Sequence, residues 1–134
     1  MKRYTASIEA QHKGADPVMD FVMCLLHSVT NAHILHLSTT SYSAHQALGN
    51  FYENIGDLVD NFVEAFQGKY GLLTGYKSDY AVPTNPVDYM EYLSNEVAKL
   101  RREPQFPQDS ELQNITDEIV QLIDSTSYKL KWLK

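Results

Sequence analysis

A chain of 134 residues with 43% hydrophobic and 21% charged side chains can fill one core. That balance is ordinary for a soluble globular protein and indicates neither a disordered chain nor a membrane protein. The net charge of −6 argues against general nucleic-acid binding, and the single cysteine, Cys24, rules out an internal disulfide and fits a reducing compartment such as the cytoplasm.

Residues 1–15 carry no clear period and read as an arm. Met1-Lys2-Arg3 is followed by polar residues, so no secretory signal is expected. The longest wholly apolar run, Phe21 to Leu26, is far too short for a membrane span. Asp16-Pro17 is a cap followed by a first-turn proline, a helix start signal. Val18, Val22, Leu25, Val29, Ala32 and His36 recur at helical spacing, which predicts a helix over 17–38. "STTSYSA" interrupts it, and Ser41 or Ser43 can cap the next helix. That helix is predicted over 43–67 from Leu48, Phe51, Tyr52, Ile55, Val59, Phe62 and Phe66, with Gly68 and Gly71 as stop signals. Gly49 and Gly56 inside it suggest close neighbours near His45. Residues 68–85, rich in Gly and Tyr, form a long connection with room for one helical turn. Asn85-Pro86 opens a third helix, 86–103, and Ser110 with Gln113 reads as a capping box opening a fourth, 110–131. Four helices with one apolar stripe each predict an all-α, antiparallel four-helix bundle in a single domain.

The charge is unevenly placed. Residues 14–68 hold no Lys or Arg, but six acids and four of the five histidines. Glu53, Asp57, Asp60 and Glu64 follow one another at spacings of four, three and four, a stripe to the side of the apolar face of the second helix. Such like charges repel by a few tenths of a kcal/mol per pair, roughly. On the first helix, His36 falls at the centre of the apolar face and His33 about 60° away, while His27 points outward with Asp20 and Asn31. An antiparallel pair would bring His33, His36 and His45 together above the first acids. Such a mixed nitrogen and oxygen set suits iron, zinc or manganese. The alternative is structural: imidazoles satisfied by a backbone carbonyl, a carboxylate, Tyr42 or Tyr52, beside a merely solvated acid face.

"HILHLSTTSYSAHQALGNFYENIGDLVDNFVEAF" resembles the central motif of Dps-type ferritins over about 35 residues. His33 and His45 lie twelve apart, and Asp60 and Glu64 follow at the spacing of the last two acids of that motif. Gly49 stands where its first acid would be, with Glu53 one turn on. His36 is an additional histidine and can take the place of His33 as counterpart. The resemblance implies a ferritin-like bundle, a homo-oligomer at least dimeric, and iron held between two copies. His33, His36 and His45 would come from one copy and Asp60 and Glu64, with Glu53 and Asp57, from the other; a ferroxidase-like oxidation is the implied chemistry. The chain is also similar to small ferritin-like proteins encoded by bacteriophages. That likeness carries the alternative of a non-enzymatic interaction module. It would bind a host or virion protein through the acid stripe and the tyrosine-rich connection (Tyr70, Tyr76, Tyr80). No membrane partner is expected, and a nucleic-acid partner is not favoured.

Overall fold

The computed structural model describes residues 16–78 and 81–134. The arm of residues 1–15 and Tyr80 lie outside these. Four helices and no strand occur among the described residues: α1 (Pro17–Ser38), α2 (Tyr42–Tyr70), α3 (Pro86–Leu100) and α4 (Ser110–Trp132).

The ends follow local chemistry. The Asp16 carboxylate accepts from the N–H groups of Val18 and Met19, and Pro17 occupies the first turn, where its missing N–H loses nothing. Ser41 caps α2 through the Ala44 N–H. α2 runs past Gly68 and stops at Gly71, whose φ of 102° is the left-handed region that glycine enters freely. α3 ends at Leu100, three residues before the expected boundary. Pro104 disfavours helix at the residue before it, and residues 101–106 are turns. The expected capping box of α4 does not form. Asp109 is the N-cap residue and makes no capping bond. Its carboxylate instead accepts from the Tyr70 hydroxyl at 2.5 Å and pairs with Lys69 at 2.5 Å. The Gln113 side chain is also committed elsewhere, to Arg101 and the Pro107 carbonyl. The single helical turn allowed for in 68–85 is absent among its described residues beyond Tyr70.

α1 packs on α2 and α3, and α4 packs on the same two, so the pairs α1/α4 and α2/α3 are diagonal. Side-chain bonds set the directions. His36 meets His45 across the α1–α2 turn, Asn31 meets Tyr89 between α1 and α3, and Tyr70 meets Asp109 between α2 and α4. Arg101 meets Gln113 and Asp117 between α3 and α4. Every neighbouring pair is therefore antiparallel, and the diagonal helices run parallel. The described residues between α2 and α3, 71–78 and 81–85, then form a crossover strap from one end of the bundle to the other. They pass Asp16 and Asp20 at one end, where Gly75 and Lys77 line the surface, and reach Asn31 through the Ala81 carbonyl.

The core is one cluster, centred on Phe21, Phe62 and Phe106 with ring centroids 4.7, 5.0 and 5.7 Å apart. Its buried polar side chains Ser28, Thr116 and Thr126 each donate to a carbonyl of their own helix. α1 is, among the described residues, the one helix apolar and long enough to cross a membrane, and half of its most apolar window is buried in the bundle. A core helix meets the same description.

Candidate functional site

The α1–α2 turn builds a clasp of two imidazoles. His36 Nδ1 lies 2.6 Å from the His45 carbonyl oxygen, and His45 Nδ1 lies 2.8 Å from the His36 carbonyl oxygen. A carbonyl only accepts, so each Nδ1 carries the proton and donates. In the neutral rings both Nε2 atoms keep their lone pairs. The rings stack with centroids 3.6 Å apart and planes within 19°. Tyr52 meets His36 edge-on and stacks on His33 at 4.2 Å.

This arrangement corrects two expectations. His33 is exposed and His36 only half-buried, so neither ring enters the apolar core. The buried face of α1 is instead turned toward Phe21, Ser28, Asn31 and Leu35, because α1 is covered on a second side by α3.

Gly49 is explained by the clasp. A Cβ at this position would lie 3.1 Å from His36 Cε1 and 3.2 Å from Nδ1, tighter than ordinary contact. The position that would hold the first acid of the Dps-type motif is thus filled by the His36 ring. Gly56 has no such reason, since nothing lies within 4 Å of its Cβ position. Gly56→Ala is therefore expected to stabilise the protein by about 1 kcal/mol through helix propensity. Gly49→Ala should fail to gain this, because a ring tied on one edge and stacked on one face has little room to yield. In a His36→Ala background, Gly49→Ala should recover the gain of about 1 kcal/mol. Urea unfolding of the four variants checks this, and an equal gain at both glycines in the otherwise unaltered protein would contradict the packing account.

Glu53, Asp57, Asp60 and Glu64 are all exposed and face outward. Among the described residues none of them forms an ion pair, and no group of three or more His, Cys, Asp or Glu side chains has metal-holding geometry. One chain thus brings the imidazoles together, but not the imidazoles with the acids.

A groove lies elsewhere, between α1, α3 and the strap. This groove of about 970 Å³ is lined by Asp20, Cys24, His27 and Asn31 of α1, by Tyr89, Tyr92, Glu96 and Lys99 of α3, and by Gly75, Lys77, Ala81 and Pro83 of the strap. Burial pushes the Cys24 thiol up to about 12, the charge of Glu96 adds to this, and a hydrogen bond with Tyr92 opposes it. Burial likewise raises the Tyr89 and Tyr92 phenols. Asp20 is surface-exposed, yet protein on one side removes enough water to raise its carboxyl, and the nearby Asp16 charge adds to the shift. Helical spacing alone points His27 and Asn31 away from the apolar face of α1. Asn31 is 3% exposed, and His27 is half-buried in the groove wall. The signal that could have found them is the near-uniform apolarity of α1, which marks a helix covered on more than one side.

Fold and site together define an all-α four-helix bundle with one long crossover, a histidine clasp at the α1–α2 turn and a polar groove under the strap. The chain belongs to a family of unknown function, DUF5856, whose profile matches residues 36–130. That span takes in His36, His45, Gly49 and the acid stripe, and leaves out Asn31 and His33. Compared with curated proteins and with solved structures, the chain matches none.

Proposed function

We propose that this protein is a ferritin-like bundle that binds a divalent metal, iron in the first place, through His36 and His45. The remaining ligands would be carboxylates from a second copy. The observation that carries the reading is the pair of Nδ1–H bonds to main-chain carbonyls. Metal-binding histidines characteristically anchor the other ring nitrogen in this way, which fixes the tautomer and raises the basicity of Nε2. The single crossover, with its neighbour order, is also the arrangement of ferritin-like bundles and supports the resemblance of residues 33–66 to the Dps-type motif.

The donor set of one chain is incomplete, and spacing along α2 suggests how a second copy completes it. His45 and the pair Asp60/Glu64 stand on either side of Glu53, near the middle of the helix. An isologous two-fold contact centred there would offer the acids of each copy to the imidazoles of the other. Asp57 would lie nearer the axis. His33, stacked on Tyr52, would take a supporting place. Bound ferrous iron would supply the electron taken up by an oxidant such as peroxide; zinc or manganese would be held by the same donors without that chemistry.

Anaerobic titration of ferrous iron into metal-stripped, tag-free protein tests the reading when combined with its mass in solution. Tight binding by a dimer or larger assembly is expected, with at least a tenfold loss of affinity in His36→Ala with His45→Ala. A protein that binds no metal tightly, or binds it equally well without both rings, overturns the proposal.

A second reading is favoured by one observation, the four outward carboxylates without cationic partners among the described residues. In this reading the bundle is a non-enzymatic module that docks a basic host or virion protein, with exposed Leu72 and Tyr76 at the edge of the contact. Tyr70 drops out of that surface, being buried and bonded to Asp109. Changing the four acids to amides should abolish capture of such a partner; undiminished capture would exclude the stripe as its surface.

A further inference from the structure

We propose that the end of the bundle formed by the α1–α2 turn and the last turn of α4 docks peripherally on an anionic lipid surface. The parallel course of the diagonal helices brings the C-terminal turns of α1 and α4, and the first turn of α2, to this one end. Two independent features of the end ask for the same partner.

The first is exposed hydrocarbon. Leu37 is 71% exposed, Tyr42 74% and Trp132 73%, and Tyr128 and Leu133 are about half exposed. Five of the nine exposed large apolar side chains among the described residues thus gather at one end. Scattered apolar side chains on a surface are ordinary, whereas a group of them marks a contact. Tryptophan and tyrosine, each an apolar ring with a polar handle, suit the boundary between water and lipid.

The second is charge. Lys129, Lys131 and Lys134 alternate with these side chains along the end of α4, and none of the three forms an ion pair among the described residues. Residues 28–52 and 125–134 contain no acid. The nearest acids are set back along their helices. Glu53 follows Tyr42 by eleven residues, about 16 Å, and Asp124 precedes Trp132 by eight, about 12 Å. Asp88 and Glu91 of α3 lie lower as well, because neighbouring Tyr89 meets Asn31, seven residues or about 10 Å short of the end of α1. Each separation exceeds the screening length of about 8 Å at physiological salt. The end is therefore locally cationic on a chain whose net charge is −6.

A lipid leaflet answers both features, with a negative headgroup layer over hydrocarbon. A flat surface also meets this end alone and leaves the acid stripe in water. A nucleic acid offers the charge without the hydrocarbon, and three facing lysines on each side oppose an end-to-end pair of copies. The expectation of no membrane partner rested on the lack of a spanning run, and a peripheral contact needs none. The clasp and the stripe take no part, so the inference is independent of both readings above.

Trp132 is the only tryptophan of the chain, so its fluorescence reports this end directly. The full, untagged chain is titrated at physiological ionic strength with vesicles of phosphatidylcholine, or of phosphatidylcholine and phosphatidylglycerol in equal parts. With the anionic vesicles a blue shift and protection from acrylamide quenching are expected, with partition into the neutral ones weaker by roughly tenfold or more. Lys129→Gln, Lys131→Gln and Lys134→Gln together should weaken partition by about a hundredfold, from roughly fivefold for each lysine near such a surface. Leu37→Ser with Tyr42→Ser, which keeps the reporter, should weaken it roughly fivefold. The unaltered chain decides even if a variant does not fold. The proposal is overturned if anionic vesicles leave Trp132 unshifted, if both vesicle types bind equally, or if the folded triple-lysine variant binds as before. It is also overturned if heparin shifts Trp132 and vesicles do not, or if raising the protein concentration alone gives the blue shift, which would assign this face to a second copy.

Discussion

Phe62→Ala is expected to lower the stability of the fold by about 3–5 kcal/mol, the range for emptying a fully buried aromatic position. Phe62 is inaccessible to solvent and lies between Phe21 of α1 and Phe106 of the α3–α4 link, with Phe66 stacked one turn along. The cavity cannot collapse cheaply, because its walls come from three separate segments whose positions other contacts fix. Against a total of roughly 5–15 kcal/mol for a domain of this kind, the loss would leave the variant close to its unfolding threshold. Urea unfolding should show a midpoint lower by roughly 2 M, with a slope typical of the chain length. Phe62→Leu, which keeps most of the hydrocarbon, should cost less than half as much. A Phe62→Ala variant within 1 kcal/mol of the unaltered protein, roughly, would mean that the three-ring cluster does not organise the core.

Cys24 is expected to alkylate about a thousand-fold more slowly in the native protein than in the same chain unfolded in urea. The thiolate is the reactive form. With the thiol pushed up to about 12, the thiolate fraction at mildly alkaline pH falls by about three powers of ten relative to an ordinary cysteine. The sign with pH follows. The native rate should climb about tenfold per pH unit well beyond pH 9, where the unfolded chain has levelled off. Because the unfolded state gives up this proton first, the same shift makes stability decline as pH rises above the ordinary thiol range. Iodoacetamide labelling followed by mass spectrometry measures both rates, and native labelling within tenfold of the unfolded rate would refute the burial argument. The lone thiol thus lines the groove as an inert wall.

The sequence displayed the helices well because their signals are local. Asp16-Pro17 and Asn85-Pro86 are bonded caps, and the apolar stripe of α2 buries every residue its period marks except the half-buried Tyr52, with Ile55, Val59 and Phe62 at its centre. It misled where a side chain had a stronger distant partner. Gln113 looks like half of a capping box, but Arg101 claims it from a residue twelve positions away. The candidate site was legible in part. The meeting of His36 with His45 follows from a short antiparallel turn, and the structural alternative of a carbonyl partner is what the rings have. Their half-exposed setting and the burial of Asn31 depend on which way α1 turns beneath α3 and the strap, and no period within α1 encodes that. Likewise, Gly49 reads in sequence as a missing ligand and in three dimensions as the seat of a ring.

The strap also bears on how the chain holds together. It is the sole covalent link between two helical hairpins, one running to Tyr70 and the other beginning at Pro86. The first hairpin closes through residues 39–41 and the second through residues 101–109, and each presents both of its helices to the other. Severing the strap would leave two interlocked halves gripping a common interior, so the bundle's integrity resides in shared hydrocarbon more than in an unbroken backbone.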